Sequence, residues 1–122
     1  MRICVPTAEK GGLDDRVGEH FGRSPTYTIY DTDTGQVEVL SNVSKHMGGK
    51  GHPAELLARA KVDVVICSGI GHRALMRLKE HGIQVYSGAF GTARDAIQAW
   101  QTGRLSPARA EDTCAHHQST GH

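Results

Sequence analysis

With 122 residues the chain is the length of one domain, long enough to bury a hydrophobic core. Fourteen basic residues against thirteen acidic ones leave a formal charge of +1, so no strong basic field draws it to nucleic acid or to an anionic membrane. Three cysteines cannot all pair within one chain, and no apolar run approaches the roughly 18 residues of a membrane span, so thiols in a reducing cytoplasm are the expectation.

The opening Met1-Arg2-Ile3-Cys4-Val5-Pro6 is too short for the apolar region of a signal peptide and reads as a first strand over residues 2–5. Asp14, Asp15 and Glu19 follow in one loop and read as a solvated face. Branched and aromatic residues mark strands at 26–31 and 36–40, and Thr34-Gly35 between them predicts an antiparallel hairpin. A helix is expected from about Pro53, with Ala54, Leu57 and Ala58 on its apolar stripe.

Val62, Val64, Val65 and Ile66 then form a near-continuous apolar run over 62–67, the pattern of a strand covered on both faces. Ala74, Leu75 and Leu78 predict a second helix ending at Gly82, and residues 83–87 a fifth strand. Ala93, Ala96, Ile97 and Trp100 predict a third helix that opens on a capping box, Thr92 to Asp95, and ends at Gly103. The Met and Trp positions on these stripes read as core. From Ser106 the hydrophobics thin out, so a domain over 1–105 and a flexible tail over 106–122 are expected.

This order implies an α/β fold with a five-stranded mixed sheet, order 3-2-1-4-5, strand 2 antiparallel and helices on both faces. Ligands in such sheets settle beyond the carboxyl ends of the parallel strands, where Cys67 and the turn Ser68-Gly69-Ile70-Gly71 lie. The turn opens a helix whose first N–H groups favour an anion, although glycines there also suit a tight strand-to-helix turn.

Eight histidines sharpen the reading toward metal. His46 and His52 flank Met47 and a run of glycines, His72 closes the turn after Cys67, and Cys114, His116 and His117 stand close together near the end. Neutral imidazole suits zinc, copper, iron or nickel, whereas thiolate and thioether favour copper(I) or iron-sulfur centres. Cys4, between Ile3 and Val5, reads as a buried structural thiol, and His81 as a cation favoured at a helix end.

His20-Phe21-Gly22-Arg23, the run from Val62 into Gly69-Ile70-Gly71-His72-Arg73-Ala74, then Gly82-Ile83-Gln84-Val85-Tyr86 and Gly91-Thr92 resemble the dinitrogenase iron-molybdenum cofactor biosynthesis family. These are small proteins and domains similar to NifX and to the C-terminal domain of NifB, and the likeness covers about residues 1–105. It implies a ribonuclease H-like three-layer fold and noncatalytic binding or carriage of a metal-sulfur cluster, of iron-sulfur, iron-molybdenum or, as in the orange-protein type, molybdenum-copper kind. Phe21, Gly22, Arg23, Ser68, Gly69, Gly71, Arg73 and Gly91 would then line the cofactor. His20, Cys67 and His72 would be inner ligands, with His46, His52, Cys114, His116 and His117 covering or completing the site. Zinc or copper would be the simpler occupants, given thiolate and imidazole where many relatives have other residues at 67, 68 and 72.

The expected partners are cluster donor and acceptor proteins, with no nucleic acid and no membrane. An anion or nucleotide sensor built on the Gly69-Ile70-Gly71 turn is the alternative. A two-metal nuclease is disfavoured, because the first strand offers no carboxylate.

Overall fold

The structure, a computed structural model, describes residues 1–42 and 52–109. β1 (Arg2–Thr7) sets the layers: its two-residue period sends Ile3 and Val5 to one face of the sheet and Cys4 to the other. β2 (Thr26–Asp31) runs antiparallel to β1 with Ile29 opposite Cys4, and β3 (Val37–Ser41) returns antiparallel to β2 with Leu40 opposite Tyr27. The hairpin turns through Gly35, whose φ of 76° lies in the left-handed region and whose N–H donates to the Asp31 carbonyl at 2.8 Å.

β4 (Val64–Ile66) lies parallel to β1, and β5 (Gln84–Ser87) parallel to β4. β4 is buried on both faces at Val64, Val65 and Ile66, while β5 buries Val85 alone and leaves Gln84 exposed. The expected core order is thus present, with one addition. β6 (Ser106–Pro107) pairs antiparallel with β5, giving six strands in the order β3-β2-β1-β4-β5-β6. Five were expected, because two residues carry no readable alternation. Pro107 suits an edge, where its missing donor costs nothing, and the Ala108 N–H donates to the Val85 carbonyl at 2.8 Å with its side chain buried.

Among the described residues three α-helices cover the sheet. α1 (Pro53–Arg59) and α2 (His72–Glu80) bury Ala54, Leu57, Leu75 and Leu78 against the face of Cys4, Tyr27, Val65 and Val85. α3 (Ala93–Gln101) buries Ala93, Ala96 and Ile97 against Ile3, Val5, Val64 and Ile66 on the other face. Each fully buried leucine contributes about 1.5–3 kcal/mol over its exposed state. Gly82 and Gly103, both at positive φ, follow the C-caps of α2 and α3. Of the Met and Trp positions expected in the core, Trp100 packs edge-on to Tyr86 at 6.2 Å, whereas Met76 faces solvent. No helix among the described residues is long and apolar enough to cross a membrane.

Candidate functional site

The carboxyl ends of β1, β4 and β5 release three segments, residues 8–25, 67–71 and 88–92, which meet on one rim of the sheet. The first is organised by Asp15, whose carboxylate accepts from the N–H groups of Glu9 at 2.9 Å, Gly11 at 2.8 Å and Arg16 at 2.8 Å. That carboxylate is a loop clamp. Farther on, the Gly18 N–H donates to the Pro6 carbonyl at 2.8 Å and the Val17 N–H to the Gly91 carbonyl at 2.9 Å, joining the first segment to the third.

His20 forms a parallel bridge with Gly69, and the Phe21 N–H donates to the Gly69 carbonyl at 3.1 Å. A single turn of 3-10 helix, Phe21–Arg23, follows. It is held from below by buried groups. The Phe21 ring is fully buried at 5.3 Å from the Tyr27 ring, and the Tyr27 hydroxyl donates to the Phe21 carbonyl at 2.8 Å. Asn42 donates to the carbonyls of Gly22 at 3.1 Å and Ser24 at 2.8 Å, and the Ser24 hydroxyl donates to the His20 carbonyl at 3.0 Å. With the backbone carbonyls engaged inward, His20 and Arg23 are exposed, beside a shallow cavity of about 240 Å³. Sequence reasoning missed Asn42 and Ser24, and Asn42 carries no local signal because its partners lie 18 and 20 residues away.

The second segment divides by burial. Ile70 is pinned in the core, while Ser68, Gly71, His72 and Arg73 are exposed. Cys67 is 0% exposed, and its thiol donates to the Tyr86 carbonyl at 3.5 Å. It shares a face with Cys4, whose thiol burial pushes well above the usual range, with a further contribution from the charge of Cys67. The structure therefore sets Cys67 one layer beneath the rim that carries His20 and His72.

The helix starts differ. His52 caps α1, its Nδ1 accepting from the Ala54 N–H at 3.1 Å. Thr92 and Asp95 close the expected capping box on α3, where the carbonyls of Asp15 and Leu13 also accept from the N–H groups of Ala93 at 2.8 Å and Arg94 at 2.9 Å. α2 opens on Gly71 with no side-chain cap, leaving first-turn N–H groups and the positive end of the helix dipole directed at the rim.

The rim glycines separate by cause. Gly91 has φ 86° and would carry a Cβ into the Asp95 side chain, so the fold itself requires glycine there. Gly22 and Gly71 lie outside the positive-φ set, and a Cβ on either would meet nothing within 4 Å. A left-handed backbone, as some tight strand-to-helix turns require, is therefore not what glycine supplies at 71. Open space above both glycines is what close approach of a ligand requires.

His52 stands apart from this rim. Burial, Arg77 and His81 lower its pKa, partly opposed by Glu55. Depression favours the neutral ring, so its stabilising effect is fully present above the unfolded value of about 6.5 and is lost as pH falls below that through the lower folded value. His52→Ala should cost about 1 kcal/mol at pH 8 and less at pH 5, whereas His52→Asn should restore most of it, as measured by urea unfolding. His46, Cys114, His116 and His117 lie outside the described residues. Among the described residues no three His, Cys, Asp or Glu side chains form a group able to hold a metal ion.

Comparison with known proteins matches the same segments. A family model described as dinitrogenase iron-molybdenum cofactor matches residues 1–103. An uncharacterized protein of Methanocaldococcus jannaschii is 29% identical over 110 residues, covering 86% of this chain and 89% of that protein. The apo form of the orange protein from Desulfovibrio gigas superposes with a TM-score of 0.79 at 32% identity, over 88% of this chain and 92% of that one. A candidate NifB protein from Thermotoga gives a TM-score of 0.72 at 32% identity, over 87% and 91%.

Proposed function

The chain belongs to the dinitrogenase iron-molybdenum cofactor family, and from that premise we propose that it is a noncatalytic carrier of a metal-sulfur cluster, held on the rim between β1 and β4. The carrying observation is the bridge of His20 to Gly69 beside the uncapped start of α2. In this reading His20 and Arg23 on the first segment, and His72 and Arg73 at the start of α2, all exposed, would act on the cargo beside the free helix N–H groups. A sulfide-rich cluster is anionic, and such groups stabilise it by hydrogen bonds and charge.

A cluster that brings its own sulfide ligands needs fewer protein donors than a bare zinc ion, which takes four in structural sites. Cys67, fully buried, would join only through opening of the 67–71 turn, and His46, Cys114, His116 and His117, outside the described residues, would be the further candidate donors. In this reading the cargo is of iron-molybdenum or molybdenum-copper type, the sheet is of the ribonuclease H-like kind, and the protein passes its load between donor and acceptor proteins in the cytoplasm. An anion sensor at the same helix start is the second reading, favoured by the missing cap on α2.

Full-length protein challenged anaerobically with iron plus sulfide, a molybdenum-sulfide salt, or copper(I) plus that salt should retain metal through gel filtration and show visible absorption bands. His20→Ala with His72→Ala should weaken retention at least as much as loss of outer-shell metal partners does, about 10- to 100-fold. Colourless protein that retains none of these metals overturns the carrier reading.

A further inference from the structure

We propose that the cavity between α3 and the β5–α3 loop is a second binding site, for a planar aromatic molecule that bears an anionic group and is about the size of a mononucleotide. The cavity holds about 600 Å³, against about 240 Å³ at the rim beside His20 and about 200 Å³ next to Tyr30. Sites for small organic ligands span about 300–1,000 Å³, so of these three it alone has room to enclose one.

Its walls carry complementary chemistry. Asp95, Gln98, Ala99 and Thr102 recur at helical spacing along the face of α3 turned away from the sheet, with Ala89 and Leu105 adding apolar floor. Phe90 stands at the mouth 83% exposed, on a loop bent by Gly88 at φ 89° and Gly91 at φ 86°. An aromatic ring left in water at the lip of a cavity offers a face for stacking.

Arg104 supplies the charge. Gly103 at φ 74° reverses the chain after α3, and the Arg104 N–H donates to the Ala99 carbonyl at 2.8 Å, which fixes the residue against the cavity. None of the ion pairs among the described residues involves its guanidinium. The one carboxylate in the lining among the described residues, Asp95, accepts from the Thr92 N–H at 3.1 Å within the capping box, turned toward the helix start. A phosphate or carboxylate on the ligand pairs with Arg104, its ring stacks on Phe90, and the Gln98 amide can both donate to and accept from the ring edge. The cavity shares residues 88–91 with the rim, but neither His20 nor His72 lines it, so the two sites are separable by substitution.

The test is calorimetric titration of the full chain with AMP. Saturable binding at one site is expected, weakened about tenfold by Phe90→Ala, the scale of losing one base-stacking contact, and preserved by Phe90→Trp. Arg104→Ala should erase the preference for AMP over adenosine, and inorganic phosphate alone should compete poorly. The His20→Ala, His72→Ala protein should bind AMP as the parent does. Absence of saturable AMP binding, or an affinity unmoved by both Phe90→Ala and Arg104→Ala, overturns the proposal.

Discussion

Gly71→Asp is expected to stabilise the protein while stripping it of its cargo. Gly71 occupies the N-cap of α2 at φ −76° and ψ 158°, an extended conformation open to any residue, and nothing lies within 4 Å of the position a Cβ would take. An aspartate there can accept from the first-turn N–H groups that glycine leaves bare. Replacing glycine at an N-cap by aspartate gains a few tenths of a kcal/mol from the hydrogen bond, and a carboxylate facing the positive end of the dipole adds about 0.3–1 kcal/mol. Thermal unfolding should move up by a few degrees. The same carboxylate occupies the space above the turn and sets a negative charge against an anionic cluster, so metal-sulfide retention should drop at least about tenfold, since like-charge juxtaposition costs several kcal/mol. Gain of stability with loss of loading is an outcome that a merely structural glycine would not produce. Unchanged loading in a stabilised Gly71→Asp protein would place the cargo elsewhere.

Gly18→Val should do the opposite and damage the fold itself. Gly18 is buried, and a Cβ there would overlap the Ser24 hydroxyl while coming within 3.2 Å of the Ser24 Cβ and 3.6 Å of the Thr7 carbonyl carbon. Ser24 has little freedom to yield, because it is itself buried and its hydroxyl donates to the His20 carbonyl at 3.0 Å. Overpacking of this kind costs about 1–3 kcal/mol, and valine also shears the turn that presents His20 and Arg23. Against a total stability of about 5–15 kcal/mol, the loss should appear as a lower urea midpoint with cargo retention falling in step. Gly18→Ala with Ser24→Ala should recover part of the loss made by Gly18→Ala, because the overlapping hydroxyl is gone. An unchanged midpoint in Gly18→Val would mean that the loop moves aside without cost.

The fold was legible wherever a local rule repeats. Alternation marked the hairpin, the valine run marked β4, Thr92 with Asp95 marked the start of α3, and Gly82 and Gly103 marked the ends of α2 and α3. β6 was not legible, since Ser106–Pro107 owes its pairing to the free edge of β5 and to the fit of Ala108, neither of which has a sequence period. The site was legible in part. The position of Ser68-Gly69-Ile70-Gly71 at the end of a parallel strand followed from topology.

The role of each ligand type was harder to read, because it depends on direction as well as identity. The strand period carries Cys67 to the face it shares with Cys4 and Val65, inside the core, although its neighbour Ser68 is exposed. His52 reads as a metal donor beside glycines, yet its Nδ1 is engaged in capping α1. Asp15 reads as a solvated carboxylate, yet it gathers three backbone N–H groups.

By itself the sequence determined the order of strands and helices and the rim on which ligands would lie, because periodicity and chain connection are properties of neighbours along the chain. Only the tertiary structure decided which side chains are exposed at that rim and which are buried beneath it, because that depends on contacts between segments far apart. It joined His20 to Gly69 across 49 positions, left α2 without the cap that α1 and α3 possess, and turned Cys67 inward.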